Sequence, residues 1–198
     1  MTTRRVEALS DGVFAIAMTV LVLGLQLPEG GADSELGARI AVLWLKFASY
    51  ILSFIMLGVL WVGHHYQFHF IRRTDRGLLW LNLLFLLTVT FLPFGTAVLG
   101  DHFRESLAVA LYGGTIVVAG ISLLLHWVYA TGRKFVSDEL DPRVDRLLKA
   151  RIVVGIALSL SAIALGTLDT RVSLVVFLAL PVVYLIRSRV DRHMAARG

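Results

Sequence analysis

Arg5-Val6-Glu7-Ala8-Leu9-Ser10-Asp11-Gly12-Val13-Phe14-Ala15-Ile16-Ala17-Met18-Thr19-Val20-Leu21-Val22-Leu23 is the stretch whose reading decides the fold. It is an apolar run of membrane length with a carboxylate near its start. About 20 apolar residues span the roughly 30 Å hydrocarbon core of a bilayer as a helix, so residues 9–27 read as a first transmembrane helix. Asp11 is costly in such a run, because an Asp at the bilayer centre costs about 2.5 to 3.5 kcal/mol and normally faces protein or water. Two readings stay open: Asp11 marks a functional or structural polar site, or it is a polar helix end near the headgroups. At about 100° per residue, Ile16, Val20, Leu23 and Leu27 share one stripe, with Gly12 near it and Thr19 at its flank. Asp11 lies about 140° from Ile16 by the same rule, so acid and stripe should meet different neighbours. An apolar stripe alone is ordinary packing or lipid contact.

The rest of the chain repeats the hydropathy of this run. Of 198 residues, 57% are hydrophobic and 17% charged, more apolar surface than one soluble core needs. Further runs fall at residues 42–70, 78–99, 107–130, 152–168 and 173–186, the last bracketed by Arg171 and Arg187. The expectation is an all-α integral membrane protein with six transmembrane helices, forming a single domain over residues 1–198. With both termini in the cytoplasm, only Arg39, Lys46, Arg104 and Arg171 of the 19 Lys and Arg fall outside. That is a strong positive-inside bias and predicts a multi-pass protein of a cell membrane. The net charge of +5 and pI near 10.0 then belong to the membrane surface, with no nucleic acid implied. There is no cysteine, hence no disulfide framework or thiolate metal site.

Arg4 and Arg5 before an apolar run also permit a signal peptide, but the run is too long and the Asp is out of place there. Residues 28–39, rich in Gly and acids, read as a flexible outer loop. The inner segment 132–149 divides the chain into two groups of three helices and reads, from Asp138 through Leu147, as an amphipathic continuation of the fourth or fifth helix. No sequence repeat relates the halves. Among the four tryptophans, only Trp61 looks interior to its run.

Catalytic signatures are missing: there is no G-x-x-x-x-G-K-[ST], H-E-x-x-H or G-x-S-x-G, which disfavours an enzyme. The acids Asp138, Glu139, Asp141 and Asp145 cluster, but basic residues follow, and a solvated helix face accounts for them. His65 and His69 share a helix face and could ligate a metal, though no carboxylate or further ligand accompanies them. Hydrogen bonding between helices is the simpler role for His64, His65 and Asn82. These groups with Asp11 could also relay protons in a proton-coupled secondary transporter. Against that, the broken, inverted-repeat helices of such carriers are not evident.

The pattern from Arg5 through Ser10-Asp11-Gly12-Val13-Phe14-Ala15-Ile16-Ala17 resembles the prokaryotic relatives of the lysosomal potassium channel family called transmembrane protein 175. Trp61-x-x-His64-His65-x-x-x-His69 and Asn82-Leu83 leading to Leu92-Pro93-Phe94 continue the resemblance over the first half. It implies a homotetramer around a central pore lined by the first helix, conducting potassium and other monovalent cations without a cofactor. It assigns Ile16, Val20 and Leu23 to an apolar constriction acting as gate and modest selectivity filter, with Thr19 flanking the pore. It assigns Arg5, Ser10, Asp11, His64, His65 and Asn82 to a polar network behind it. Physically, a ring of Ile, Val and Leu can close a narrow pore by expelling water, and nothing here resembles a T-V-G-Y-G filter. Leu9 stands where the family has Phe, Val20 where it has Leu, and Gly24 where an acid is common. The middle layer of the constriction is therefore shorter, and an outer ring of negative charge is missing.

Overall fold

The computed structural model describes residues 3–27, 36–138 and 140–185. Its elements are α1 (Thr3–Val20), closed by a 3₁₀ turn (Leu21–Gly24), α2 (Leu36–Val42), α3 (Trp44–Phe70), α4 (Arg76–Asp101), α5 (Ser106–Gly132), α6 (Pro142–Gly166) and α7 (Thr170–Leu185). Five of these, α1 with its 3₁₀ turn and α3 to α6, are long and apolar enough to cross a membrane. α7 is apolar and shorter. The protein is thus an all-helical, multi-pass membrane protein, as the hydropathy required.

Three boundaries differ from the sequence reading. The segment expected as a loop over 28–39 ends in helix α2, which holds Arg39 and buries none of its residues. Residues 28–35 lie outside the described part. The segment from Asp138 to Leu147 continues the fifth run and not the fourth, and does so from Pro142 only: α5 stops at Gly132, Val136 bridges Ile71, and α6 runs unbroken from Pro142 to Gly166. Asp141 explains this start, because its carboxylate accepts the Arg143 amide at 2.7 Å and caps a helix whose first residue is Pro. The first apolar run does not stay α-helical to its end, since its last turn tightens into 3₁₀ geometry at Leu21, as helix ends often do.

Packing follows chain order, with α4 against α5, α5 against α6 and α6 against α7, while α1 lies on α3 and α4. One apolar core runs through the bundle, built on Phe14, Leu57, Phe85, Leu92, Tyr112 and Phe177. A second, smaller core lies at the end where Phe70, Leu78, Trp127 and Leu148 meet. Small residues set how closely the helices approach, as is usual where lipid supplies no hydrophobic drive between them. A Cβ on Gly113 would stand 2.7 Å from Ile163 and 2.8 Å from Phe177, and one on Gly166 would stand 2.7 Å from Val109. α5, α6 and α7 therefore touch through glycine.

The second core is closed by backbone as well as by side chains. The amides of Arg72 and Arg73 both donate to the Phe135 carbonyl, at 2.7 and 3.2 Å, and Ile71 bridges Val136. The α3–α4 connection is thereby fastened to the α5–α6 connection. Asp75 caps α4 in this region, accepting the Leu78 amide at 2.8 Å and the Tyr129 hydroxyl at 2.9 Å. The Leu78 amide, followed by the Tyr129 hydroxyl and the Arg133 charge, holds the Asp75 carboxyl below the usual carboxylate range.

Two outcomes are expected. Gly113→Ala should lower stability in detergent by about 1 to 3 kcal/mol through overpacking, whereas Gly114→Ala, whose Cβ meets nothing within 4 Å, should leave the unfolding temperature nearly unchanged. Because the folded pKa of Asp75 is depressed, the stability it adds is complete above the unfolded carboxyl value of about 4 and is lost as pH falls through the folded value. Unfolding midpoints of wild type and Asp75→Ala should then differ at neutral pH and converge in acid.

Candidate functional site

α1 is packed on one side only. Val6, Ser10, Phe14 and Ala17 are buried, with Leu21 following in the 3₁₀ turn. This spacing of three to four residues is a single helical face. On the opposite half, Ile16 is 65% exposed, Val20 40% and Leu23 66%. A Cβ on Gly12 would meet nothing within 4 Å. The Thr19 hydroxyl on this open face donates to the Ile16 carbonyl at 2.8 Å, so its oxygen keeps acceptor capacity toward the outside.

Behind α1 the buried face is tied by side-chain hydrogen bonds. The Ser10 hydroxyl donates to the Val6 carbonyl at 2.9 Å, and the Asn82 amide nitrogen on α4 donates to Ser10 Oγ at 3.3 Å. Asn82 Oδ1 accepts from His64 Nε2 on α3 at 2.8 Å, which fixes the proton on that nitrogen. The His64 ring stacks on Phe85 at 5.4 Å, and Phe14 closes the group at 5.9 Å from Phe85. Ser10, His64 and Asn82 thus bind three helices at one level.

Asp11, one residue beyond Ser10, makes a separate tie: its carboxylate accepts the Trp61 indole N–H from α3 at 2.8 Å. Asp11 and Ile16 both lie on the exposed half of α1, and they differ in that Asp11 has a partner in the chain. His65 is exposed and stacks on Trp61 at 5.7 Å, supporting the indole. Trp61 lies inside its helix as expected, 37% exposed, and reaches across to α1. Arg5 is exposed and has no hydrogen bond or ion pair among the described residues. Within one subunit the structure therefore brings five of the six network residues into two adjoining ties and leaves Arg5 apart. His65 and His69 serve as ring partners of Trp61 and Phe70, and no group of three His, Cys, Asp or Glu assembles among the described residues.

The sequence reading missed the continuation of this polar file. Gln67 is fully buried on α3, donating to the Leu123 carbonyl at 3.0 Å, and its Oε1 accepts from the Nδ1–H of His126 on α5 at 2.7 Å. The His126 ring lies 5.9 Å from that of His64, so the polar groups extend from α1 across to α5. The signal was present in the sequence as an amide and an imidazole inside apolar runs. Farther along, the Thr96 hydroxyl reaches Ser53 Oγ at 2.7 Å, and Ser53 reaches the Tyr112 hydroxyl at 3.1 Å.

Comparison with known proteins is consistent with this arrangement. The family model described as endosomal/lysosomal potassium channel TMEM175 matches residues 5–93, the part holding α1, α3 and most of α4. A protein of Streptomyces collinus named as a potassium channel is 37% identical over 161 residues, covering 76% of each chain. The chain belongs to the TMEM175 family. A solved structure from Chamaesiphon minutus, described as that of a lysosomal potassium-selective channel TMEM175 homologue, superposes with a TM-score of 0.83 at 30% identity, covering 93% of this chain and 97% of that one. Human TMEM175, named a proton channel, is 30% identical over 158 residues, which span 79% of this chain and 31% of the human protein. The TMEM175 family is one of ion channels and not of enzymes.

Asn82 is the joint of the first tie, with both its donor and its acceptor engaged. Asn82→Leu should leave the Ser10 hydroxyl without a donor and His64 Nε2–H unpaired, lowering stability by about 1 to 2 kcal/mol. A thermal unfolding series in detergent, with Leu83→Ala as an exposed-site comparison, measures it.

Proposed function

We propose that this chain is the subunit of a homotetrameric, potassium-permeable monovalent cation channel of the bacterial inner membrane. Six spans with both termini cytoplasmic complete the subunit in this reading, α7 being the sixth. Ile16, Val20 and Leu23 on α1 form the apolar constriction that gates the pore and gives modest selectivity, and Thr19 flanks it. Ser10, Asp11, His64, His65 and Asn82 form the structural network that holds α1 in place, and Arg5, which bonds no described residue, is assigned to it by the family resemblance alone.

The observation that carries this reading is the open face of α1, with Ile16 and Leu23 about two-thirds exposed on a helix whose other face is buried. A helix held on one side has a free face for a symmetry axis, and closed cyclic assembly is the economical route to a shared pore. Apolar side chains around a narrow axis gate by excluding water, so no charge need move. The name of the Streptomyces relative and the description of the Chamaesiphon protein as potassium-selective support potassium as a permeant ion. The human relative's name makes the proton a second candidate.

Reconstitution into liposomes with a potassium gradient and a lumenal pH dye tests both ions at once. Potassium flux is expected, with Ile16→Asn raising it several-fold by wetting the constriction. A silent membrane from intact oligomers, or flux unchanged by Ile16→Asn, would overturn the pore assignment. Strict dependence on a proton gradient with saturating flux would favour a proton-coupled transporter instead. Asp11→Asn should reduce the yield of intact oligomer while leaving the K⁺/Na⁺ ratio of the surviving channels unchanged, as read by bi-ionic recording.

A further inference from the structure

The last turn of α1 is held differently from the helix that leads to it. Leu21–Gly24 is wound as 3₁₀, Leu25 leaves helical geometry at φ −88° and ψ 71°, and no side chain caps the start of the turn. A 3₁₀ run of four residues is near the longest usually sustained, and its hydrogen bonds are poorer than those of an α-helix. Leu21 is the one buried residue of the turn. Its side chains are Leu, Val, Leu and Gly, none of which can hydrogen-bond to a neighbouring helix.

On the subunit side of this turn lies a space of about 380 Å³, walled by α3 and α4. Leu21 and Gly24 border it from the turn, Tyr50 from α3, and Pro93 and Ala97 from α4. The two long walls are fastened to each other. The Thr96 hydroxyl on α4 donates to Ser53 Oγ on α3 at 2.7 Å, and Lys46 and Asp101 form an ion pair between the same helices at their outer ends. At Gly100 the walls meet so closely that a Cβ would stand 3.4 Å from Lys46 Cα. The turn is therefore the side of the space that can give. Gly24 faces Ala97 across it, since a Cβ on Gly24 would stand 3.9 Å from the Ala97 methyl.

Resting on the pore reading, we infer that the turn withdraws into this space and draws Leu23 away from the pore axis, with Ala97 the positioning residue that limits how far it goes. Ile16 and Val20 belong to the α-helical part of α1, which Ser10 and Asp11 tie to α4 and α3. The outermost layer of the constriction is thus adjusted separately from the two layers before it. The room for that adjustment is set by one small side chain that does not line the pore.

Single-channel recording of the purified full-length protein in planar bilayers tests this. Ala97→Leu should lower the open probability about tenfold by overpacking the withdrawn position, with unitary potassium conductance and the K⁺/Na⁺ ratio unchanged. Ala97→Gly, which enlarges the space, should raise the open probability. Leu23→Ala should raise it as well and abolish the effect of either Ala97 variant. If Ala97→Leu does not assemble, Ala97→Gly with and without Leu23→Ala decides. An effect of the Ala97 variants that persists undiminished in Leu23→Ala marks a merely structural role and overturns the inference. Ala97 variants that behave as wild type, while Leu23→Ala raises the open probability, overturn it and leave the pore reading standing. Leu23→Ala without effect on flux removes Leu23 from the constriction, and the inference falls with that assignment.

Discussion

Polar groups inside a membrane protein have no water to fall back on, and in this molecule that constraint fixes where the helices stand. Ser10, Asn82 and His64 bond one another across α1, α4 and α3, and Gln67 bonds His126 Nδ1 and the Leu123 carbonyl on α5, leaving the buried His126 Nε2 without a partner among the described residues. Each bond is individually modest in a membrane, about 0.6 kcal/mol on average. Their effect is on specificity, because any other rotation of α3 would leave an imidazole and an amide buried without partners. Apolar contacts such as Phe14 on Phe85 tolerate sliding. The polar file does not.

How far this was legible in the sequence depends on the range of the interaction that decides each feature. The long helices were legible because the bilayer demands continuous apolar runs, a requirement that acts within one segment. The extension of the fifth run toward its N-terminus was legible too, but its start was placed at Asp138, four residues early, although Asp141 followed by Pro142 is a capping signal. α2 was hidden by its Gly- and acid-rich approach and by having no buried side chain to impose a period. In the site, His64 and Asn82 could be nominated as partners by residue type alone. Gln67 and His126 are separated by 59 positions, and only the packing of α3 on α5 puts them together. Trp61 was legible as interior to its run, but its partner Asp11 on α1 was not, because position within a run says nothing of which side a neighbouring helix occupies.

The two halves of the bundle are joined unequally. Glycines let α5, α6 and α7 close on one another, and the Phe135 carbonyl with its two amide donors fastens the connections at one end. α1 shares in neither. Its buried contacts lie on one face.

The two neighbouring ties at Ser10 and Asp11 have a mechanical meaning beyond their strength. They leave the helix from consecutive residues, about 100° apart around its axis, and end on different helices, α4 and α3. A shaft with two teeth cut at the same height and pointing in different directions can neither turn nor slide in its lock without shearing both. α1 is keyed in this sense. Displacement of its far end, where Leu23 and Gly24 stand, must come from bending above the teeth or from tilting in company with α3 and α4, and independent rotation and sliding are the movements this geometry forbids.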